Sequence, residues 1–428
     1  MPFSKLGLCP QVIRALEEKS YKEPSPVQVQ AFPIIAKGDD LIACAQTGTG
    51  KTAAFAFPLI ERIMSKEDKW RRTTVLVLSP TRELASQIVD NINHYTKYLP
   101  IRCAAIFGGV SKRQQLQALK KGVNIVVATP GRLLDHIGQK TIDLSYLQTL
   151  VLDEADNMLD MGFIKDVYKI LRALPRGRRQ TLLFSATFSK EIKNLSQQLL
   201  RDPQVIQVEK ENIAAKKITQ TVHHVPGKLK KKLLTQLIEE KEWKQFLVFT
   251  RTKRGANLLS EELNKSGYQS RAFHSNKTQE ARKRTLDSFK NREVNILVAT
   301  DIAARGIDIS DLPLVVNYDL PEVPENYVHR IGRTGRAFRS GEAITLQDPS
   351  ERYALERIES LIGESVEVLE VPEHLIMHET PRNEKQLQAR AIDREMKKRD
   401  PLYQGAFHER KKKSKKELAK KKSTGKRR

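Results

Sequence analysis

Apolar and polar positions in the first half of the chain form short apolar runs separated by longer amphipathic stretches. The runs are rich in β-branched residues and are continuous, which is typical of strands buried on both faces of a parallel sheet. They are Thr74–Ser79, Asn124–Thr129, Thr149–Asp153 and Thr181–Ser185. Amphipathic stretches such as Thr81–Tyr95 predict connecting helices. The first half is therefore expected to be an α/β domain.

The same rhythm returns in the second half, with helices predicted over Gly255–Ser266 and Thr278–Phe289. The apolar runs there are Phe246–Thr250, Asn295–Thr300, Leu314–Asn317 and Ala343–Leu346. Between the halves, residues 209–217 are polar and carry no strand pattern, so we interpret them as a linker. We expect one domain over residues 1–208, another over 218–370, and a ligand-binding cleft at their interface.

Beyond residue 370 the strand rhythm stops, and residues 371–428 are interpreted as a basic extension. Glu384–Arg399 is highly charged and has a helical pattern. The last 19 residues, Arg410–Arg428, contain 12 lysines and arginines and one acid. Like charges at this density repel one another and bury little apolar surface, so we expect this tail to be disordered.

The charge balance favours a polyanionic partner. The formal net charge is +24, from 75 basic and 51 acidic side chains, and nucleic acid is the first candidate for such an excess. A basic protein that is merely soluble is the alternative. Apolar residues make up 39% of the chain, which is enough to build sizeable cores.

The cysteines do not suggest a disulfide framework or a zinc site. Cys9, Cys44 and Cys103 are odd in number and lack CxxC spacing, which fits a reducing compartment. His374 and His378 are four apart but have no nearby third metal ligand. The N-terminus does not resemble a secretory signal, and no segment approaches the roughly 20 apolar residues of a membrane span. We expect a cytoplasmic protein.

A candidate phosphate-binding loop, AQTGTGKT, follows an apolar run and precedes a helical stretch. Its two glycines allow a tight turn that aims backbone N–H groups at phosphate oxygens, and the following helix N-terminus adds positive potential. Lys51 is expected to contact the β- and γ-phosphates, and the Thr52 hydroxyl to bind Mg²⁺. The predicted nucleotide-contacting residues are Ala45, Gln46, Thr47, Gly48, Thr49, Gly50, Lys51 and Thr52. Ala45 replaces the usual first glycine, so the strict pattern is not met.

Three acids, Asp153, Glu154 and Asp156, stand at the end of the strand-like run Thr149–Asp153. A carboxylate at the carboxyl end of a parallel strand lies beside the phosphate loop in such folds. We therefore expect Asp153 to hold Mg²⁺ through water and Glu154 to orient and deprotonate the attacking water. An acid-rich helix N-terminus is the alternative interpretation, and the distance of about 100 residues from the loop favours the catalytic one.

The segment His329–Arg336, HRIGRTGR, offers positive charge for the γ-phosphate in the transition state. Arg333 and Arg336 are three apart, so they project to one face of a helical turn, and their planar forks suit phosphate. An arginine finger is worth roughly 10³–10⁵ in rate. Because these arginines belong to the second domain, hydrolysis would require the two domains to close.

At these motifs the chain resembles a DEAD-box helicase of superfamily 2, and is most similar to the bacterial RhlE-type subgroup. The resemblance covers residues 3–370 and implies two tandem RecA-like domains. Pro24–Gln28 resembles the family's Q motif, so Gln28 is expected to read the adenine edge and Phe3 to stack on its face. Ser20 stands where relatives usually have glycine. By the same resemblance Asp308 would lie near the ribose.

The resemblance also implies RNA contacts and a coupling segment. The residues expected to contact RNA are Pro80, Thr81, Arg82, Gly109, Thr129, Arg132, Arg251, Gln279, Arg282, Thr300 and Arg305. Those expected to couple ATP to unwinding are Ser185, Thr187 and His329. The RNA motifs contain few aromatic side chains, so we expect contact with the RNA backbone and no reading of sequence.

An ATP-dependent RNA helicase that uses ATP and Mg²⁺ and unwinds short duplexes locally is the function that the resemblance implies. One alternative is a DNA motor of the same superfamily, against which the Q motif and the DEAD tetrad argue. Another is an ATP-gated RNA clamp or annealing chaperone with little strand separation. Ribosomal or RNA-decay assemblies are possible partners, and a monomer is the default expectation.

Overall fold

The computed structural model describes residues 2–45, 48–65, 72–175, 177–208, 218–241, 243–304, 307, 309, 312–335 and 341–372. The chain divides into two compact units. The first is Met1–Lys216 with Phe273–Lys290 and Ile302–Ser310, and the second is Lys217–Ala272 with Asn291–Asp301 and Asp311–Arg428. The predicted linker 209–217, the helix Glu384–Arg399 and the tail Arg410–Arg428 lie outside the described residues.

The first sheet has seven strands in the order β3-β4-β2-β5-β6-β1-β7, and its pairings are parallel. The strands are β1 (Leu41–Cys44), β2 (Val75–Leu78), β3 (Cys103–Ile106), β4 (Ile125–Ala128), β5 (Thr149–Leu152), β6 (Gln180–Ser185) and β7 (Gln204–Gln207). The predicted parallel sheet is thus confirmed, with β5 next to β6 and β6 next to β1.

Both faces of this sheet are covered by apolar cores. Because successive side chains of a strand point to opposite faces, Val75 and Val77 enter one core while Leu76 and Leu78 enter the other. The covering helices are α1 (Pro10–Glu18), α2 (Pro26–Lys37), α3 (Lys51–Met64), α4 (Arg82–Tyr95), α5 (Lys112–Lys120), α6 (Pro130–Gly138), α7 (Ala155–Asp160), α8 (Ile164–Ala173) and α9 (Lys190–Leu199). A 3-10 helix, Phe3–Leu6, precedes them.

The second sheet also has seven strands, in the order β10-β11-β9-β12-β13-β8-β14. They are β8 (Ile218–His224), β9 (Phe246–Phe249), β10 (Ser270–Phe273), β11 (Ile296–Ala299), β12 (Leu314–Asn317), β13 (Gly341–Gln347) and β14 (Glu367–Leu369). The registers that are described are all parallel. The sheet repeats the architecture of the first, as expected for tandem RecA-like domains.

The helices after β8 are α10 (Lys230–Lys241), α11 (Lys253–Lys265), α12 (Gln279–Lys290), α13 (Asp301–Ala304), α14 (Pro324–Ile331) and α15 (Arg352–Ile362). The three predicted helices that fall within the described ranges correspond to α4, α11 and α12 within two residues at each end. No helix in the described ranges is both long and apolar enough to cross a membrane.

Candidate active site

The phosphate loop joins the carboxyl end of β1 to α3, which begins at Lys51. Gly48 and Gly50 have φ angles of 89° and 87°, in the left-handed region that glycine adopts without strain. The Lys51 ammonium is buried and donates a hydrogen bond to the Ala45 carbonyl at 2.9 Å, so it lies inside the loop. Thr49 lies between the two glycines and Thr52 is the second residue of α3, whereas Gln46 and Thr47 lie outside the described residues.

The Q motif lies directly against this loop. The Gln28 side chain accepts a hydrogen bond from Ser25 N at 3.0 Å, which completes a capping box at the start of α2. Its Nε2 donates to the Gly50 carbonyl at 3.2 Å. A Cβ at Gly50 would overlap with Gln28 Nε2, so only glycine fits there. The Q motif is therefore anchored on the phosphate loop through Gln28, and recognition of the adenine edge by Gln28 stays a prediction.

Phe3 is placed in the apolar core beside α3. Its ring is 6% exposed and packs edge-on against Phe57 at 5.9 Å and Tyr21 at 6.5 Å between ring centroids. This packing fixes the N-terminal segment on the helix that begins with Lys51. Adenine stacking by Phe3 stays a prediction.

The predicted catalytic acids follow β5. Burial raises the pKa of the Asp153 carboxyl to about 7, although the nearby Lys51 ammonium lowers it. Glu154 has a φ of 52°, a left-handed conformation that costs a non-glycine residue about 1–2 kcal/mol. Its Oε2 accepts a hydrogen bond from Asn157 Nδ2 at 2.8 Å, so α7 holds the carboxylate in place.

Asp156 joins these acids to the predicted coupling segment. Its Oδ2 accepts hydrogen bonds from Ala186 N at 2.9 Å and Thr187 N at 3.1 Å. The Ser185 hydroxyl also accepts one from Thr187 N, at 3.3 Å. One buried carboxylate therefore connects the end of β5 with the end of β6.

Thr52 and Asp153 offer a hydroxyl and a carboxylate, which are the hard oxygen ligands that Mg²⁺ prefers. Asp153 is 2% exposed and its pKa is raised by burial, so a cation beside it would favour the charged form. These residues therefore fit the predicted magnesium site. Among the described residues, no group of three or more His, Cys, Asp and Glu side chains forms a metal-binding cluster.

The predicted RNA-contacting residues of the first sheet lie in the segments after its strands. The Thr81 hydroxyl, next to Pro80, accepts from Leu84 N and caps α4. The Arg82 guanidinium lies so close to Gly109 that a Cβ there would overlap with it. Thr129 is the N-cap residue of α6, and Arg132 on that helix lies 3.5 Å from Asp135.

Two further predicted RNA-contacting residues, Gln279 and Arg282, belong to the first compact unit with Glu83 of α4. Gln279 Nε2 donates a hydrogen bond to the Glu83 carboxylate at 2.7 Å, and Arg282 forms an ion pair with the same carboxylate at 2.9 Å. Burial lowers the pKa of Arg282, and Glu83 raises it. Glu83 therefore positions both side chains.

In the second unit, ion pairs to Glu351 and Asp301 hold the segments that carry the predicted residues Arg251 and Thr300. Arg251 pairs with Glu351, which also accepts from Lys230 Nζ at 2.7 Å. Arg330 is 1% exposed and makes a two-bond contact with Asp301, at 2.5 and 2.7 Å. It also donates to Asn317 and to the Asp319 carbonyl, and it lies 4.9 Å from the centre of the Phe249 ring.

The remaining predicted residues of the second unit lie at different places along its sheet, and the Arg333 carbonyl accepts a hydrogen bond from Leu312 N, just before β12, at 3.2 Å. Thr300 directly follows β11, His329 lies on α14, and Arg333 follows α14 and is 7% exposed. Arg305, Asp308 and Arg336 lie outside the described residues.

Sequence reasoning missed the positioning residues Glu83, Asp156, Asp301 and Arg330. Each of the four stands within two residues of a predicted functional residue, but each acts on a partner far away in the sequence. A second charged residue beside a predicted functional one was the available signal.

A glycine-rich phosphate loop, strand-terminal acids and two parallel sheets define a nucleotide-hydrolysing motor of the helicase class. Residues 25–195 match the DEAD/DEAH box helicase family, and residues 229–338 match the helicase conserved C-terminal domain. The chain is 42% identical over 361 residues to the ATP-dependent RNA helicase CshA of Limosilactobacillus reuteri, covering 84% of this chain and 72% of that protein. It belongs to the DEAD-box family.

Two other comparisons agree. The ATP-dependent RNA helicase DeaD of Haemophilus influenzae is 42% identical over 381 residues, which is 89% of this chain. The chain spans 62% of the length of that relative. The structure of S. cerevisiae Dbp5 bound to RNA and ADP BeF3 aligns with a TM-score of 0.77 at 29% identity, covering 91% of this chain and 98% of that one.

Proposed function

We propose that this chain is an RNA-stimulated ATPase that opens short RNA duplexes locally, without travelling along them. The Asp156 carboxylate is the observation that supports this most directly, because it accepts hydrogen bonds from both Ala186 and Thr187. It thereby links the acids expected to drive hydrolysis with the segment expected to act on RNA. A shift in the position of the acids would therefore move this segment as well.

For hydrolysis, Lys51 binds the phosphates and Glu154 orients the attacking water and accepts its proton. The bond from Asn157 to Glu154 holds the acceptor oxygen in place. Mg²⁺, held by Thr52 and Asp153, would neutralise charge on the phosphates. Arg333 and Arg336 stabilise the charge that develops on the γ-phosphate. Both arginines follow α14 and belong to the second unit, whereas the phosphate loop belongs to the first. We therefore propose that hydrolysis requires the two units to close around ATP.

RNA is proposed to bind through its backbone. Threonine hydroxyls, helix N-termini and arginines suit sugar and phosphate oxygens, and contacts to those oxygens carry no information about the base sequence. Thr81 and Thr129 stand at the N-termini of α4 and α6, where backbone N–H groups also favour anions. Contact with 2′-hydroxyl groups would favour RNA over DNA.

The energetics favour local opening. Stacking is worth about 1.4 kcal/mol per step for DNA, so opening four steps costs on the order of 6 kcal/mol. A ligand at 100 times its Kd supplies only about 2.7 kcal/mol. ATP binding alone is therefore insufficient, and RNA contacts made in the closed state must add to it. Such a cycle opens a few base pairs and then releases the strand.

The first test measures ATP hydrolysis with and without single-stranded RNA. We expect strong stimulation by RNA, weak stimulation by DNA, and a loss of roughly 10³-fold in kcat for Arg333→Ala. Arg352→Ala, on an exposed arginine of the same unit, is the matched control and should hydrolyse ATP normally. Equal rates with and without RNA, together with an active Arg333→Ala variant, would refute the proposal.

The second test separates a helicase from an ATP-gated RNA clamp. Wild type should release strands from short duplexes in single turnover and fail on long ones. Glu154→Gln should bind RNA tightly with ATP and turn over slowly. A clamp would bind RNA equally well but release no strand as ATP is consumed, whereas a processive motor would unwind the long duplex.

Several finer assignments belong to the same proposal. Membership of the RhlE-type subgroup is supported by the sequence resemblance. A cytoplasmic location is supported by the three free cysteines, Cys9, Cys44 and Cys103. We further propose a monomer that acts in ribosomal or RNA-decay assemblies. RNAs crosslinked to the protein in cells would test the last point.

A further inference from the structure

A concave surface of the first unit carries four arginines and shares no residue with the active site. It has a volume of about 770 Å³ and is lined by the side chains of Arg172, Arg178, Arg179, Arg201, Leu171 and Leu174. We refer to it as the arginine pocket.

The arginine pocket lies at the amino edge of the first sheet. Arg179 immediately precedes β6, and Arg201 lies between α9 and β7. The phosphate loop and the catalytic acids follow the carboxyl ends of strands in the same sheet. A four-residue strand at roughly 3.3 Å per residue separates the two edges by about 13 Å. The pocket is therefore a surface distinct from the ATP site.

The positive charge in the arginine pocket is poorly compensated. Arg179 is half-buried, and its Nε is buried without a hydrogen-bond partner among the described residues. Burial, and to a smaller extent the nearby Arg201 guanidinium, lower the pKa of Arg179, while the Asp40 carboxylate raises it. The Asp40 carboxylate compensates little of this charge, because its two oxygens already accept hydrogen bonds from Thr181 N and Arg201 N, each at 2.8 Å. Within the described ranges no ion pair joins any of the four arginines to an acid.

The chemistry of the lining favours phosphate groups. Guanidinium forks match phosphate oxygens with two parallel hydrogen bonds, and a bound anion would relieve the repulsion between Arg179 and Arg201. Leucine, proline, glycine and arginine make up the described lining, so it offers no amide, hydroxyl or aromatic side chain to read a base. A site of this composition suits a repeating phosphate backbone better than one particular nucleotide.

We propose that the arginine pocket binds the phosphates of an RNA strand, as a second and sequence-independent RNA contact that does not require ATP. The proposal rests on RNA being the substrate of this helicase. The pocket would hold RNA that flanks the segment engaged by the motifs, so the protein would stay attached while the ATP site cycles.

The test measures Kd for a single-stranded RNA, without nucleotide, over a range of salt concentrations with the full chain. Each phosphate neutralised on a single strand contributes about −0.7 to the slope of log K against log salt. Replacing Arg178, Arg179 and Arg201 by alanine should therefore flatten the slope by about 2. The kcat of ATP hydrolysis at saturating RNA should not change. A loss of RNA stimulation in wild type would instead refute the proposed function.

The matched control removes three exposed lysines of the same unit, Lys120, Lys121 and Lys165. It changes the net charge equally, so it should leave the slope within experimental error of wild type. If both triple variants flatten the slope equally, general charge explains the effect and the arginine pocket is not a binding site.

Two further measurements control for misfolding of the triple variant and for binding of a free phosphate compound. Arg178→Glu alters one exposed side chain, so it should fold normally and still weaken RNA binding in a salt-dependent way. Inorganic pyrophosphate should compete with RNA in wild type more than in the triple alanine variant when the ATP site is filled. Pyrophosphate binding to the pocket with unchanged RNA affinity in the variants would assign the pocket to a free phosphate compound and overturn the proposal.

Discussion

The two units organise their functional segments around buried charges of opposite sign. In the first, the Asp156 carboxylate is satisfied by neutral backbone N–H groups of Ala186 and Thr187. In the second, the Arg330 guanidinium is satisfied mainly by the carboxylate of Asp301, with Asn317 and the Asp319 carbonyl. This difference implies that removing the buried charge should lower the free energy of unfolding more in the second unit. Removal of Arg330 leaves the Asp301 carboxylate without its partner.

The largest effect is expected for Arg330→Met. Breaking a buried pair by removing one partner costs about 3–5 kcal/mol, so the free energy of unfolding of the second unit should fall by that amount. Trp243 packs on Phe246 in that unit, so its fluorescence in a Trp70→Phe background reports urea unfolding. Arg352→Met breaks an exposed pair with Glu356 and should cost under about 1 kcal/mol. Equal losses of unfolding free energy in Arg330→Met and Arg352→Met would show that the buried pair contributes no more than an exposed one.

A smaller effect is expected for Asp156→Asn. The amide keeps one acceptor oxygen but loses the charge, so the first unit should lose about 1–2 kcal/mol in its free energy of unfolding. Strand release should fall more than RNA-stimulated ATP hydrolysis, since the link to Thr187 is weakened. Asp166→Asn, which removes an exposed pair with Lys169, is the control and should change neither. An unwinding rate that falls only in proportion to ATP hydrolysis would contradict the coupling role.

Gln28→Ala should have a still smaller effect on stability. It removes the bonds to Ser25 N and to the Gly50 carbonyl, at a cost of about 1 kcal/mol. The KM for ATP should rise, because the side chain that supports the phosphate loop is gone. Gln114→Ala, on an exposed glutamine of α5, should leave KM unchanged. An unaltered KM in Gln28→Ala would mean that the loop holds its shape alone.

The smallest effect is expected for Ser20→Gly, and it should be stabilising. Ser20 has a φ of 58°, a left-handed conformation that glycine adopts without strain. Relief of about 1–2 kcal/mol of backbone strain, less the entropy that glycine adds to the unfolded chain, should leave a gain below about 1 kcal/mol. Thermal unfolding measures it. Lys19→Gly, at a residue with negative φ, should not stabilise.

The sequence predicted the interiors of both sheets well and their edges poorly. Every continuous apolar run overlaps a strand of the structure. The undetected strands are β3, β7, β8, β10 and β14, of which all but β8 are edge strands. An edge strand packs against fewer neighbours, so it tolerates polar residues such as those of β7, where Gln204 and Gln207 are exposed. The continuous pattern that identifies a buried strand is then missing.

The candidate site was predictable where function resides in contiguous residues, as in the phosphate loop and the acids after β5. It was not predictable where a residue works through a distant one. Asp156 and Thr187 are separated by 31 positions and Arg330 and Asp301 by 29, and only folding brings them together. The left-handed backbone of Glu154 was equally hidden, because no local glycine marks it.

The close approach of Gln28 to Gly50 has an evolutionary consequence. Any side chain at position 50 would push the glutamine aside, and any bulkier residue at position 28 would press on the turn that holds Lys51. The position of the Gln28 side chain and the shape of the phosphate loop therefore depend on each other. A descendant of this protein that changed the residue at position 28 or 50 would therefore have to adjust the other position as well.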